Sequence, residues 1–293
     1  MGIMPLLNLL RVKSYFKPKL WHYSANQLPY IDNSAEMNVR QFRSTLLAIL
    51  LVSSLVSGCL SDSQDKDRLT LVVEHERING TIVETYSDGE LASTSNASLE
   101  FNFSKTTSGG RLTTFGFIQS ESESITVNPI EDSAILVEFS THGIHNITAF
   151  AIDDEGGREE LLIKVRIELR IEWLESSTSE PKTLKIDPIP MNGGDSPNSI
   201  IIDSTVENPE LLENLGGGRE VEVTWLLLDP QDDACQSRKA VVHEGESVNW
   251  KTIHFNTLEA HEFTVSYDEG QDEIDIVHVI SIEYAPLDSE SES

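Results

Sequence analysis

The chain has 293 residues, enough for two ordinary domains, and a formal charge of −28 with 39% hydrophobic and 7% aromatic residues. Of its 21 Lys/Arg and 49 Asp/Glu, six (Arg11, Lys13, Lys17, Lys19, Arg40, Arg43) and two (Asp32, Glu36) precede Cys59, so the remainder holds 15 basic against 47 acidic side chains, a net of −32. That charge repels phosphate backbones and argues against a nucleic-acid partner; it suits solubility in a salty medium.

The first element is an apolar run, Leu46 to Val56, preceded by Arg40 and Arg43 and closed by Ser57-Gly58-Cys59. It is too short to span a bilayer, which needs about 20 apolar residues. Basic flank, short apolar core and small residues together predict a secretory signal over 37–58. Val56-Ser57-Gly58-Cys59 resembles the lipobox of prokaryotic lipoproteins. The resemblance implies a diacylglyceryl group on the Cys59 sulfur and cleavage just before it. Two acyl chains anchor stably where one does not. Met37 opens a complete signal of ordinary length, so residues 1–36 read as an extension outside the native protein. Residues 59–67 form a polar tether.

From Arg68 the pattern is that of strands. Short segments rich in Val, Ile, Thr and Phe alternate with Gly, Ser, Asn and Asp clusters. The expected strands lie near 69–75, 80–86, 98–103, 111–118, 134–139, 144–152 and 160–173. In "LLIKVRIELRIEW" every odd position from Leu161 to Trp173 is apolar and every even one from Lys164 is charged. Period two over that length predicts a half-buried strand. A second set is expected near 183–187, 199–203, 220–228, 239–243, 249–255, 260–267 and 274–284. "NPELLENLGG" at 208–217 could make a turn or two of helix, and the acidic tail 285–293 is expected to be disordered.

The two sets look like copies. "FSTHGIHNITAFAIDDEGG" from Phe139 aligns with "FNTLEAHEFTVSYDEGQ" from Phe255, matching Phe139 to Phe255, Thr141 to Thr257, His145 to His261 and Thr148 to Thr264. "GGRLTTFGFIQ" (109–119) aligns with "GGREVEVTWLLLD" (217–229), and the extra length of the second copy falls in the polar loop "DPQDDACQSR". "GIHNITAFAIDDEGG" resembles the strand pair of PKD-type and related immunoglobulin-like domains. The second copy departs from it, with Glu259 in place of Gly143. The resemblance implies an all-β protein of two tandem immunoglobulin-like (PKD-type) β-sandwiches: domain 1 at 68–173, a linker at 174–182 and domain 2 at 183–284. Trp225 would be a core aromatic, with Phe115 or Phe117 in that role in the first copy.

Candidate sites follow from side-chain chemistry. His145 and His261 occupy matching positions where such sandwiches hold a corner aromatic bonded to backbone, so a structural role is preferred to metal ligation for these and for His142 and His254. Asp153, Asp154 and Glu155, with Asp268 and Glu269, place carboxylates on turns and are the candidates for calcium, which takes six to eight oxygens; a solvated surface is the plainer reading. Cys235 has no base beside it in the sequence and reads as a loop thiol. Asn79, Asn96, Asn102 and Asn146 each begin Asn-x-Ser/Thr, the acceptor pattern for N-glycosylation. HExxH, GxSxG and phosphate-loop patterns are absent. The sequence thus predicts a non-catalytic, lipid-anchored cell-surface protein acting as a binding, adhesion or envelope-structural module through a protein or glycan partner. The alternatives are a calcium- or glycan-binding module and an accessory subunit of a surface enzyme or transporter.

Overall fold

The computed structural model describes residues 68–120, 123–210, 219–270 and 273–287. The described residues contain strands and turns and no helix. They fall in one compact unit, Asp62–Ser293. In chain order the strands are β1 (Glu74–His75), β2 (Asn79–Ser87), β3 (Glu90–Ser95), β4 (Ala97–Asn102), β5 (Leu112–Ser120), β6 (Glu123–Val127), β7 (Ala134–Phe139), β8 (Gly143–Asp153) and β9 (Arg158–Thr178). Then come β10 (Leu184–Ile186), β11 (Ser199–Asn208), β12 (Val221–Leu228), β13 (Ala234–Val242), β14 (Glu246–His254), β15 (His261–Glu269) and β16 (Ile274–Glu283).

Three sheets result. One has the order β1-β4-β7 and another β10-β15-β12-β13; the third, of nine strands, runs β14-β11-β16-β9-β8-β5-β6, with β2 on β9 and β3 on β2. Each small sheet packs on a stretch of the large one, because alternate residues of the facing strands are apolar. In the first half Phe101 and Phe103 meet Phe117 and Phe115 with ring centroids 4.8 and 4.9 Å apart. In the second, Trp225 of β12 and Phe263 of β15 meet Trp250 of β14 at 6.3 and 6.0 Å. The fold is therefore all-β, as the strand pattern predicts, and of the sandwich type that the resemblance implies.

Strand β9 joins the halves. Its first part, 158–167, pairs antiparallel with β8; its later part pairs antiparallel with β16 and in parallel with β2. At Ile167 the partners are Gly143 of β8 and Gly80 of β2, which must lie on opposite edges. At Leu169 they are Ile282 of β16 and Ile82 of β2. β8 and β16 consequently lie end to end along one edge of β9. His142 Nδ1 and Tyr284 Oη close that joint at 2.7 Å.

Residues 174–178, read from the sequence as the start of a linker, are the end of β9. The alternation continues there, but the inward position after Trp173 is Glu175, which hides the period. Glu175 is buried because its carboxylate accepts the Trp173 indole N–H at 2.8 Å and the Lys182 backbone N–H at 3.1 Å. The stretch expected as a strand at 69–75 is mostly open chain, with a bridge from Thr70 to Thr107 before the two residues of β1. The helical turn expected within 208–217 lies largely, and the tail 285–293 expected to be disordered lies mostly, outside the described residues.

Candidate functional site

Cys59 and the signal expected over 37–58 lie outside the described residues. The acidic turns do not form cation cages among the described residues. Asp153, itself buried, accepts Ser108 Oγ at 2.7 Å through one carboxylate oxygen and the backbone N–H groups of Gly157 and Glu155, at 2.6 and 3.1 Å, through the other. These donors, led by the Ser108 hydroxyl, hold its carboxyl below the usual range. Asp154 accepts the Arg111 N–H at 2.8 Å and pairs with its guanidinium, and the adjacent Glu155 is exposed. Asp268 accepts Thr224 Oγ1 at 2.5 Å and Ser266 Oγ at 3.0 Å beside Lys239, and its carboxyl is likewise lowered, first by Thr224. Glu269 is exposed at the end of β15. Both turns thus spend their inner carboxylates on fixing backbone and neighbouring hydroxyls. Of the four glycosylation-pattern asparagines, Asn96 and Asn146 are exposed, whereas Asn79 and Asn102 are half-buried.

A cleft opens where the halves join. Ile82, Glu84 and Tyr86 of β2 and Leu169 and Ile171 of β9 line it, together with Thr141, His142, Lys185, Asp187, Ile189 and Met191. Its volume is about 240 Å³. The parallel register of β2 on β9 sets Tyr86 beside Trp173, and the two rings stack at 5.4 Å. The Tyr86 hydroxyl donates to Glu84 at 3.0 Å. Burial, and then the Glu84 charge, push that hydroxyl's pKa to about 12, so it stays protonated. Burial also lowers His142, against the opposing pull of Asp187. The lining of the cleft therefore includes an aromatic ring stacked on Trp173, two carboxylates and a lysine.

The corner histidines act as the sequence predicts: His145 Nε2 donates to the Thr141 carbonyl and His261 Nε2 to the Asn256 carbonyl, each at 2.8 Å. The packing partner corrects the sequence alignment. His145 lies against Phe139 (5.1 Å between centroids), while His261 lies against His254 (4.6 Å), not Phe255, which is 72% exposed. Phe139 and His254 are each the last residue of their strands, β7 and β14. The second corner has one more residue between the accepting carbonyl and the histidine, which shifts the alignment by one.

Around the second corner, ligand atoms of Cys235, His254 and His261 lie within 4.8 Å of one another, the one such group of His, Cys, Asp and Glu among the described residues. Sequence reasoning missed it because the three come from β13, β14 and β15 without a recognisable spacing. Cys235 is the extra residue of a β-bulge: Leu227 and Leu228 of β12 face Gln236 and Ala234, leaving Cys235 unpaired and its side chain re-aimed. His254 Nε2 and His261 Nδ1 are buried without a hydrogen-bond partner. Leaving such a polar atom unpaired costs about 1–3 kcal/mol. Burial, and then the Asp229, Glu259 and Asp233 charges, push the Cys235 thiol up; burial, then His261, lowers His254.

No protein family and no curated protein matches the sequence. Some solved structures align with much of the chain, at low identity and low TM-score. Carbohydrate-binding modules from the β-sandwich superfamily align at 5% identity and a TM-score of 0.28, over 76% of this chain and 100% of theirs. Beta-glucuronidase 2 of Bacteroides uniformis aligns at 6% identity and a TM-score of 0.25, over 76% of this chain and 30% of that one. Tripeptidyl peptidase 2 aligns at 9% identity and a TM-score of 0.21, over 74% of this chain and 20% of that one.

Proposed function

We propose that the chain is a non-catalytic binding module displayed at the cell surface, held to the membrane by a lipid on Cys59, with the cleft at the seam as its ligand surface. The observation that supports this reading is the cleft. It combines an aromatic ring fixed by stacking with polar groups that converge on a small volume, the composition of a selective small-ligand site. Its chemistry suits a sugar. Glu84 and Asp187 can accept from hydroxyls, Lys185 can donate, and Tyr86 offers an apolar surface for C–H contacts. The net charge of the mature chain disfavours acidic sugars, so neutral or amino sugars are the class proposed.

Calorimetric titration of the purified chain with a panel of neutral, amino and uronic oligosaccharides tests this. A neutral or amino sugar is expected to bind the wild type and to lose at least about tenfold in affinity to Tyr86→Ala, a change of roughly 1.4 kcal/mol. If no sugar distinguishes the two proteins, the cleft is not a glycan site.

A further inference from the structure

We propose that Cys235, His254 and His261 form a binding site for a late first-row divalent metal ion of the zinc type. Three observations carry the proposal independently of the glycan reading. The first is convergence: one thiol and two imidazoles have ligand atoms within 4.8 Å of one another. Ligands of a closed tetrahedral zinc site sit about 3.3–3.6 Å apart, as follows from its bond lengths, so side-chain rotations of about an ångström complete the site.

The second is protonation. The Asn256 carbonyl can only accept, so the proton of neutral His261 is on Nε2 and its Nδ1 carries a lone pair. That Nδ1 is buried and unpartnered, on a side chain only 1% exposed; His254 Nε2 is also buried and unpartnered, on a side chain that is itself half-buried. A metal-bound histidine shows this arrangement, with one ring nitrogen on the ion and the other tied to a carbonyl that fixes ring and tautomer.

The third is the comparison of the two halves. The first half fills the place of His254 with Phe139, which packs on its own corner histidine and needs no partner. The second half replaces that phenylalanine with an imidazole and brings in a thiol from the bulge of β13. Packing alone explains neither change.

Thiolate with two imidazoles selects zinc-like ions over calcium and magnesium. On binding, the Cys235 sulfur replaces its proton with the metal, and the proton leaves to solvent, so affinity rises with pH. Cys235 is on the exposed side, which leaves the fourth position to water or an incoming ligand.

The test uses the full chain with Cys59→Ser to remove the other thiol, purified without a polyhistidine tag and stripped of metal. Cobalt(II) is expected to give a thiolate-to-metal charge-transfer band saturating at one ion per chain, and zinc to displace it. Cys235→Ser should abolish the band. His254→Phe restores the first half's residue and so should fold normally, yet bind zinc at least about tenfold more weakly. Calcium should produce no change. The proposal is overturned if the cobalt band is missing from the parent protein, or if His254→Phe binds zinc as tightly as the parent.

Discussion

Trp225→Ala is expected to destabilise the protein by about 3–5 kcal/mol, a large share of the 5–15 kcal/mol that holds a typical domain. Trp225 is fully buried on β12 between the two sheets of the second half. Its ring packs against Trp250, and its indole N–H donates to Ser204 Oγ at 2.7 Å. The Ser204 hydroxyl is in turn hydrogen-bonded with His278 Nδ1 at 2.9 Å. Truncation leaves a cavity the size of an indole, which a β-sandwich held by sheet registers on both faces cannot collapse to fill, and it strips one bond from the relay. Urea unfolding of wild type and variant measures the loss. A difference below about 1 kcal/mol would mean that the second half does not depend on this packing.

The second large effect is a dependence on pH. His278 is buried beneath Phe263, its ring 4.8 Å away, and burial lowers its pKa to about 3, against the opposing pull of the Val277 carbonyl. In the unfolded chain the same group titrates near 6.5. Between those values the unfolded state binds a proton that the native state refuses, so acid favours unfolding. Above about pH 6.5 this group has no effect; below it, stability falls by up to ~1.4 kcal/mol per pH unit. Burial also lowers His142, His145 and His254, and these add with the same sign. Asp153 and Asp268 act at lower pH: their stabilisation is present above the ordinary carboxylate pKa of 3.8 and is lost as pH falls through their depressed values. His278→Gln keeps an acceptor for Ser204 and removes the titration. Its unfolding free energy, followed from pH 7 to pH 4, should fall less steeply than that of wild type; parallel curves would place the acid sensitivity elsewhere.

The strands that the sequence shows most clearly, β9 and β12, have one wet and one dry face. In β12 the inward Val221, Val223, Trp225 and Leu227 are all fully buried and their neighbours are not, which is the pattern the chain displays in plain text. Strand β3 was illegible because all six of its residues are exposed, so it has no apolar period. A turn signal marks it instead. Asp88-Gly89, both at positive φ, joins β2 to β3 as a two-residue hairpin, the loop that favours Asp-Gly. Glu175 concealed the end of β9 in a different way, by putting a carboxylate where the period calls for an apolar residue.

The candidate sites divide along the same line. Corner histidines could be read because their role is local: each bonds a carbonyl four or five residues upstream. The cleft and the Cys235–His254–His261 group could not be read, because both depend on which strands become neighbours. The cleft exists because β2 adds in parallel to β9, a pairing that no short-range pattern announces. The three-residue group needs a bulge in β13 and the edge of β14 brought to the start of β15, along with a one-residue shift between the copies. That shift made Phe255, rather than His254, look like the partner of Phe139.

The proposed anchoring at Cys59 is central, since it would decide whether the cleft and the acidic surface face outward on a membrane. The measurement that tests it most directly is the intact mass of the native protein extracted from washed membranes. The account predicts a chain that begins at Cys59 and is heavier by a diacylglyceryl group on that cysteine. A native chain that begins elsewhere, with a free thiol at Cys59, would contradict it.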